Sequence, residues 1–167
     1  MGFKKTSEVI AISFELDESA ANTFTTSTVD LTLSPLDQEV FVCVAVDMDP
    51  TAPEVVTNTR TSSNANITKS LQTALLSMGN SNTIALVSRT IATSASDAPV
   101  GFEHTSLDSP VATLDYIDII ATNNFHVGIV GGNNTIPMSV SGRLWGYRAR
   151  ADAATYAALV QGEILSA

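Results

Sequence analysis

A chain of 167 residues, 44% hydrophobic and 15% charged, is long enough to bury a core as one domain without a metal or disulfide, and too apolar to stay disordered. Its formal net charge of −9 argues against a surface that wraps nucleic acid, because such binding relies on Lys and Arg displacing counterions from phosphates. No apolar run approaches the roughly 20 residues that cross a bilayer, so no membrane span is expected.

The first residues, Met1-Gly2-Phe3-Lys4-Lys5, carry two positive charges but lead into Thr6-Ser7-Glu8 and then an alternating pattern rather than a continuous apolar block, so no export signal is visible. Residues 9–16 place Ile10, Ile12, Phe14 and Leu16 on one face and Ala11, Ser13 and Glu15 on the other, the period of a strand with one buried side. Residues 23–33 form a second strand pattern, with Val29, Leu31 and Leu33 opposite Thr28, Asp30 and Thr32. Val40 to Met48 is apolar on both faces and belongs in mid-sheet with both sides covered. Cys43 within it reads as a small buried apolar residue.

Val55 to Thr61 reads as a weaker strand, and Ser62-Ser63-Asn64-Ala65-Asn66 as the start of a long surface loop. Leu71, Ala74, Leu75 and Met78 recur at helical spacing and predict a short helix near 70–78, capped by Thr68 or Ser70 and closed at Gly79. Ile84 to Thr93, Leu114 to Ala121 and Phe125 to Val130 are three further strand patterns. Pro99, Gly101 and Pro110 mark the connection between the first two, and Gly131-Gly132-Asn133-Asn134 reads as a flexible loop. A long last strand runs from about Met138 to Arg150. A C-terminal helix over 152–165 follows, with Asp152 as N-cap and Tyr156, Leu159 or Val160, and Ile164 on one face. Eight strand patterns with turn residues between them predict an all-β fold, an antiparallel two-sheet sandwich forming a single domain over 1–167.

Chemistry is thinly represented. Asp47-x-Asp49 resembles the opening of a calcium loop, but Pro50 and Pro53 follow where further ligands would be needed, so a structural turn outweighs a metal site. Asp115 and Asp118 do not share a strand face, and His104 and His126 lack metal-ligand or catalytic partners in sequence. Asn66-Ile67-Thr68 and Asn133-Asn134-Thr135 match the glycosylation pattern, with unmodified asparagines the better reading. No enzyme activity and no cofactor are expected. The richest stretch is Arg143-Leu144-Trp145-Gly146-Tyr147-Arg148-Ala149-Arg150, where guanidiniums interleave with aromatic rings. Arg143, Trp145 and Tyr147 share a face opposite Val140 and Leu144, so one face packs on the core and the other on a neighbour. With Arg148, Arg150 and Tyr156 they are the expected interface.

Five of the eight basic residues, Lys4, Lys5, Arg143, Arg148 and Arg150, lie near the ends, leaving an acidic body between residues 6 and 142. With the runs Val40 to Met48, Asp115 to Ala121, Phe125 to Val130 and Met138 to Arg150, this plan resembles the small single jelly-roll capsid proteins of icosahedral viruses. The resemblance covers most of the chain and is one of plan rather than motif. It implies a jelly-roll sandwich, a virion location, and self-assembly with copies of itself and other shell proteins through sandwich edges and termini. It also implies that nucleic acid is met only through the basic ends Lys4, Lys5, Arg148 and Arg150, since a long Arg-rich arm is lacking. The alternative is a carbohydrate- or calcium-binding sandwich module, against which the scarcity of loop aromatics counts.

Overall fold

The computed structural model describes residues 2–96, 98–105 and 114–165. They form two antiparallel five-stranded sheets and one C-terminal helix. The first sheet holds β1 (Lys4–Lys5), β2 (Ile10–Asp17), β4 (Glu39–Pro50), β8 (Asp118–Ile120) and β10 (Ser139–Arg150). The second holds β3 (Thr25–Asp30), β5 (Arg60–Thr68), β6 (Thr83–Ala92), β7 (Val100–Thr105) and β9 (Asn124–Gly132). The helix, α1, is Ala153–Leu165.

The pairing follows a simple rule. β2 lies on β10, β3 on β9, β4 on β8 and β5 on β6, so the chain is one long hairpin doubled back at the β5–β6 turn. Rolling that hairpin brings β10 against β4 and β9 against β5, giving the orders β2-β10-β4-β8 and β3-β9-β5-β6. This is the jelly-roll arrangement, with β1 as a short continuation along the β10 edge and β7 added outside β6. Phe14 and Phe125 meet edge-on across the sandwich, ring centroids 6.2 Å apart, among Phe41, Ile67, Val127, Ile129 and Leu144.

The expectation that Val40 to Met48 is covered on both sides holds for Val40 to Cys43 and not beyond, where Asp47 is exposed. Phe41 and Cys43 enter the core between the sheets, whereas Val40 and Val42 belong to a second apolar cluster with Ala149, Ile119 and the α1 residues Tyr156, Leu159 and Val160. A register shift opposite Trp145 and Gly146, which skips Val44, then exchanges the faces, and Val46 and Met48 turn inward. Two glycines of β10 allow the neighbouring strand and rings to approach. A Cβ on Gly146 would overlap the Phe41 ring and the Val42 carbonyl, and one on Gly142 the Asp47 carbonyl and the Phe14 ring.

Several expectations are corrected. There is no helix at 70–78; the segment turns across the outer face of the second sheet, with Leu71 and Met78 exposed. So short a helix is marginal by itself, and its carbonyls find other donors: Asn66 Nδ2 reaches Leu76 O at 3.4 Å, and Thr83 Oγ1 reaches Ser77 O at 2.8 Å. Beneath it, the polar run 62–66 is not a surface loop but the middle of β5, between β6 and β9. Its inward residues are small, Thr61, Ser63 and Ala65, and its outward amides are hydrogen-bonded, including Ser88 Oγ to Asn64 Oδ1 at 2.5 Å. Val55 to Thr59 lies outside any strand, and of Leu114 to Ala121 only Asp118–Ile120 is a strand. Gly131 and Gly132 extend β9, and only Asn133 takes a left-handed backbone, with φ 56°.

Gly146→Ala is expected to destabilise the protein by about 1–3 kcal/mol in urea unfolding, because the added methyl is aimed at backbone and a fully buried ring. The same change at the exposed Gly101, where a Cβ meets nothing within 4 Å, should leave the midpoint nearly unchanged.

Candidate functional site

On β10 the residues pointing away from the core are Ser139, Ser141, Arg143, Trp145, Tyr147 and Ala149, and α1 divides this row in two. The half nearer the chain ends is covered. Tyr147 joins Phe3 and the α1 residues Tyr156, Leu159 and Val160 against the cluster of Val40, Val42 and Ala149, and Lys5 Nζ stands 5.1 Å from the Tyr147 ring centroid. The neighbour met by this part of the aromatic face is therefore the chain's own helix.

Two carboxylates fasten that helix. Asp152 accepts hydrogen bonds from Thr155 N at 2.9 Å and Thr155 Oγ1 at 2.8 Å, the expected N-cap, and these bonds hold its carboxyl below the usual carboxylate range. At the other end the buried Glu163 accepts from Ala121 N at 2.6 Å, Thr122 N at 3.0 Å and Thr122 Oγ1 at 2.6 Å, just beyond β8. Glu163 lies four residues after Leu159 and three after Val160, so a carboxylate within the apolar stripe was its one signal in the sequence. A similar buried carboxylate, Glu18, accepts from Gly131 N at 2.6 Å, Met138 N at 2.7 Å and Thr23 N at 3.1 Å. No sequence pattern announced it.

The basic ends converge, because Lys4 pairs with Arg150 and Lys5 with Ala149 in the ladder. Their charges are partly engaged within the chain. Arg150 bonds Asp37 O at 3.0 Å and Asp37 Oδ1 at 3.2 Å, and Lys5 meets Glu8 at 3.4 Å. Arg148 crosses to the end of β3, donating to Leu31 O at 2.9 Å and Thr32 Oγ1 at 3.0 Å.

The other half of the row is open. Here the register sets Trp145 between Ala11 and Ala45, Arg143 between Ser13 and Asp47, and Ser141 between Glu15 and Asp49. Trp145, Arg143 and Ser141, with their partners Ser13, Glu15, Asp47 and Asp49, line a concavity of about 720 Å³. Asp47 and Asp49 are thus strand residues on one face, not a turn. Asp49 pairs with Arg89 at 3.0 Å, and Arg89 also meets Glu103 of β7 at 3.1 Å. Among the described residues, no three His, Cys, Asp or Glu side chains come together as a metal site.

The remaining candidates sit apart from this face. Burial pushes the Cys43 thiol far up, which withholds the reactive thiolate. His126 bonds Thr28 Oγ1 through Nδ1 at 2.9 Å, and burial lowers its pKa. His104 is exposed on β7, and Asp118 pairs with Lys69 at 3.1 Å. The Asn66 side chain is buried under residues 69–82, where it has no room to carry a glycan. No protein-family model and no curated protein matches this chain.

Glu163→Ala should leave the backbone amides of Ala121 and Thr122 without their acceptor, loosening α1 by about 1–3 kcal/mol. Amide exchange within 153–165 would then accelerate more than exchange in β5 and β9. The pH dependence follows from Asp152, whose lowered pKa contributes stability that is complete above the unfolded carboxylate value and lost as the pH falls through the folded one. Asp152→Asn keeps a capping side chain but not the charge, so its stability deficit relative to the parent should shrink on acidification through that window.

Proposed function

We propose that this protein is a structural subunit that assembles with copies of itself, as the coat or capsid subunit of a virus does. The observation that carries the reading is strand β7. Val100, Gly101, Phe102, Glu103 and His104 are all exposed, and Phe102 keeps 56% of its accessible surface. Among the described residues no strand lies along the outer edge of β7. An exposed sheet edge is a template for another strand, and proteins that do not use such an edge blunt or cover it. Main-chain bonds along β7 would give affinity, with Val100 and Phe102 supplying the apolar contact.

Other features support the reading. The core closes without help from a partner, so the subunit is a finished brick rather than half of an obligate fold. The jelly-roll order itself recurs in coat proteins, and also in sugar-binding domains, so it is compatible with assembly without specifying it. The gathering of Lys4, Lys5 and Arg150 at one end of the first sheet provides a surface that could face nucleic acid inside a shell, with other shell proteins completing it. A ligand-binding role is favoured by a different observation, the open concavity beside Trp145.

Light scattering after size-exclusion chromatography, with negative-stain microscopy of the same fractions, tests assembly. Rings, shells or large oligomers are expected, and Phe102→Lys should shift them toward monomer while the circular-dichroism spectrum stays that of the parent. A protein that remains monomeric at high concentration across salt and pH refutes the proposal.

A further inference from the structure

We infer that the concavity beside Trp145 binds a short neutral oligosaccharide. The site exists because of what is missing around it: α1 covers only the far half of the sheet face, and the side of the indole toward Arg143, Ser13 and Asp47 is left open. Trp145 is half-buried, so it is held in place while still lining the opening. Its volume, about 720 Å³, lies in the range of small-ligand sites, roughly 300–1,000 Å³.

The polar groups are those that recognise vicinal hydroxyls. Arg143 and Asp47 are exposed and directly opposite each other in the register, yet neither side chain has an ion-pair or hydrogen-bond partner among the described residues. A guanidinium offers a fork of donors and a carboxylate a pair of acceptors, so each can bind two adjacent hydroxyls at once. Glu15, Ser13 and Ser141 add acceptors and hydroxyls at the rim. An aromatic wall with donors and acceptors beside it matches a sugar ring, whose C–H face is apolar and whose edge carries hydroxyls.

Charge narrows the class. With Asp49 paired to Arg89, Glu15 and Asp47 still outnumber Arg143 around the opening. Phosphates, sulfates and sialic or uronic acids would meet net repulsion there, so nucleotides and anionic glycans are disfavoured. The carboxylates do not converge on a single point, which separates the site from a divalent-cation site.

Trp145 is the only tryptophan of the chain, so selectively excited tryptophan fluorescence reports this site alone. The full-length protein would be screened on a glycan array and then titrated with maltotriose, cellotriose, mannotriose, chitotriose and sialyllactose. At least one neutral glycan should give a saturable fluorescence change, with sialyllactose weaker. Arg143→Ala and Asp47→Ala should each weaken binding about tenfold, the effect of losing a good hydrogen-bonding group. Trp145→Ala should abolish binding by calorimetry, and Trp145→Phe, which keeps an aromatic wall and guards against misfolding, should retain part of it. No binding on the array or in the titrations, or binding indifferent to Arg143 and Asp47, overturns the inference. Fluorescence that responds to protein concentration but to no sugar overturns it too, and assigns the face to contact between copies; assembly measured separately shows whether the coat reading stands regardless.

Discussion

The ladder between β4 and β10 is the constraint on which the rest depends. It is the longest strand pairing in the molecule, running from Val140 opposite Pro50 to Arg150 opposite Glu39, and every other part of the first sheet hangs on one of its two strands. Gly142 and Gly146 let β4 and the rings of Phe14 and Phe41 lie against the β10 backbone on the core side. On the outer side Val40, Val42 and Ala149 need a second cover, which α1 provides. Where the outer face is open and polar, a slip of one residue would carry Val46, Met48, Val140 and Leu144 into solvent, so the register of the jelly roll is set here.

Loops are then held to this frame by buried carboxylates rather than by regular turns. Glu18 gathers amides from Thr23, Gly131 and Met138, residues far apart in sequence, and Asn134 bonds Ser62 O and Glu54 N nearby. Glu54 in turn accepts from Thr135 N and Thr135 Oγ1, which lowers its pKa. Unlike the exposed Glu54–Thr135 bonds, those of Glu18 stabilise chiefly by sparing buried amides the loss of water, so this carboxylate is worth more as a fastener than as a charge. Glu163 does the same for the helix. The acidity of the chain is thus partly structural, with anions serving as hydrogen-bond acceptors at loop closures.

Much of the fold was legible wherever one face of a strand met apolar residues. The alternation of Ile10, Ile12, Phe14 and Leu16 located β2, and the doubly apolar Val40 to Met48 located the two-sided strand, because burial there is driven by the side chains themselves. β5 was illegible for the opposite reason: Asn64 and Asn66 are covered by partners from β6 and residues 69–82, and hydrogen-bond satisfaction across distant segments leaves no local periodicity. The stripe of Leu71, Ala74, Leu75 and Met78 misled because helical spacing alone does not provide a surface to pack on. β7 was hidden in a connection marked by Gly and Pro, since its position comes from pairing with β6 rather than from burial. The division of β10 by α1 could not be read from alternation, which treats Arg143, Trp145 and Tyr147 as one face.

That division separates two demands that β10 would otherwise place in conflict. Tyr147 is enclosed by α1, where an aromatic ring contributes to holding the sheet, whereas Trp145, two residues earlier on the same face, is left beside alanines with its surroundings polar. Moving the helix along the strand by two residues, about 6.6 Å, would be enough to change which ring is covered. What prevents it is the pair of end fastenings, the Asp152 cap directly after β10 and Glu163 on the amides of Ala121 and Thr122. The openness of the Trp145 concavity is therefore determined at a distance, by where two carboxylates fix the ends of a helix that does not line it.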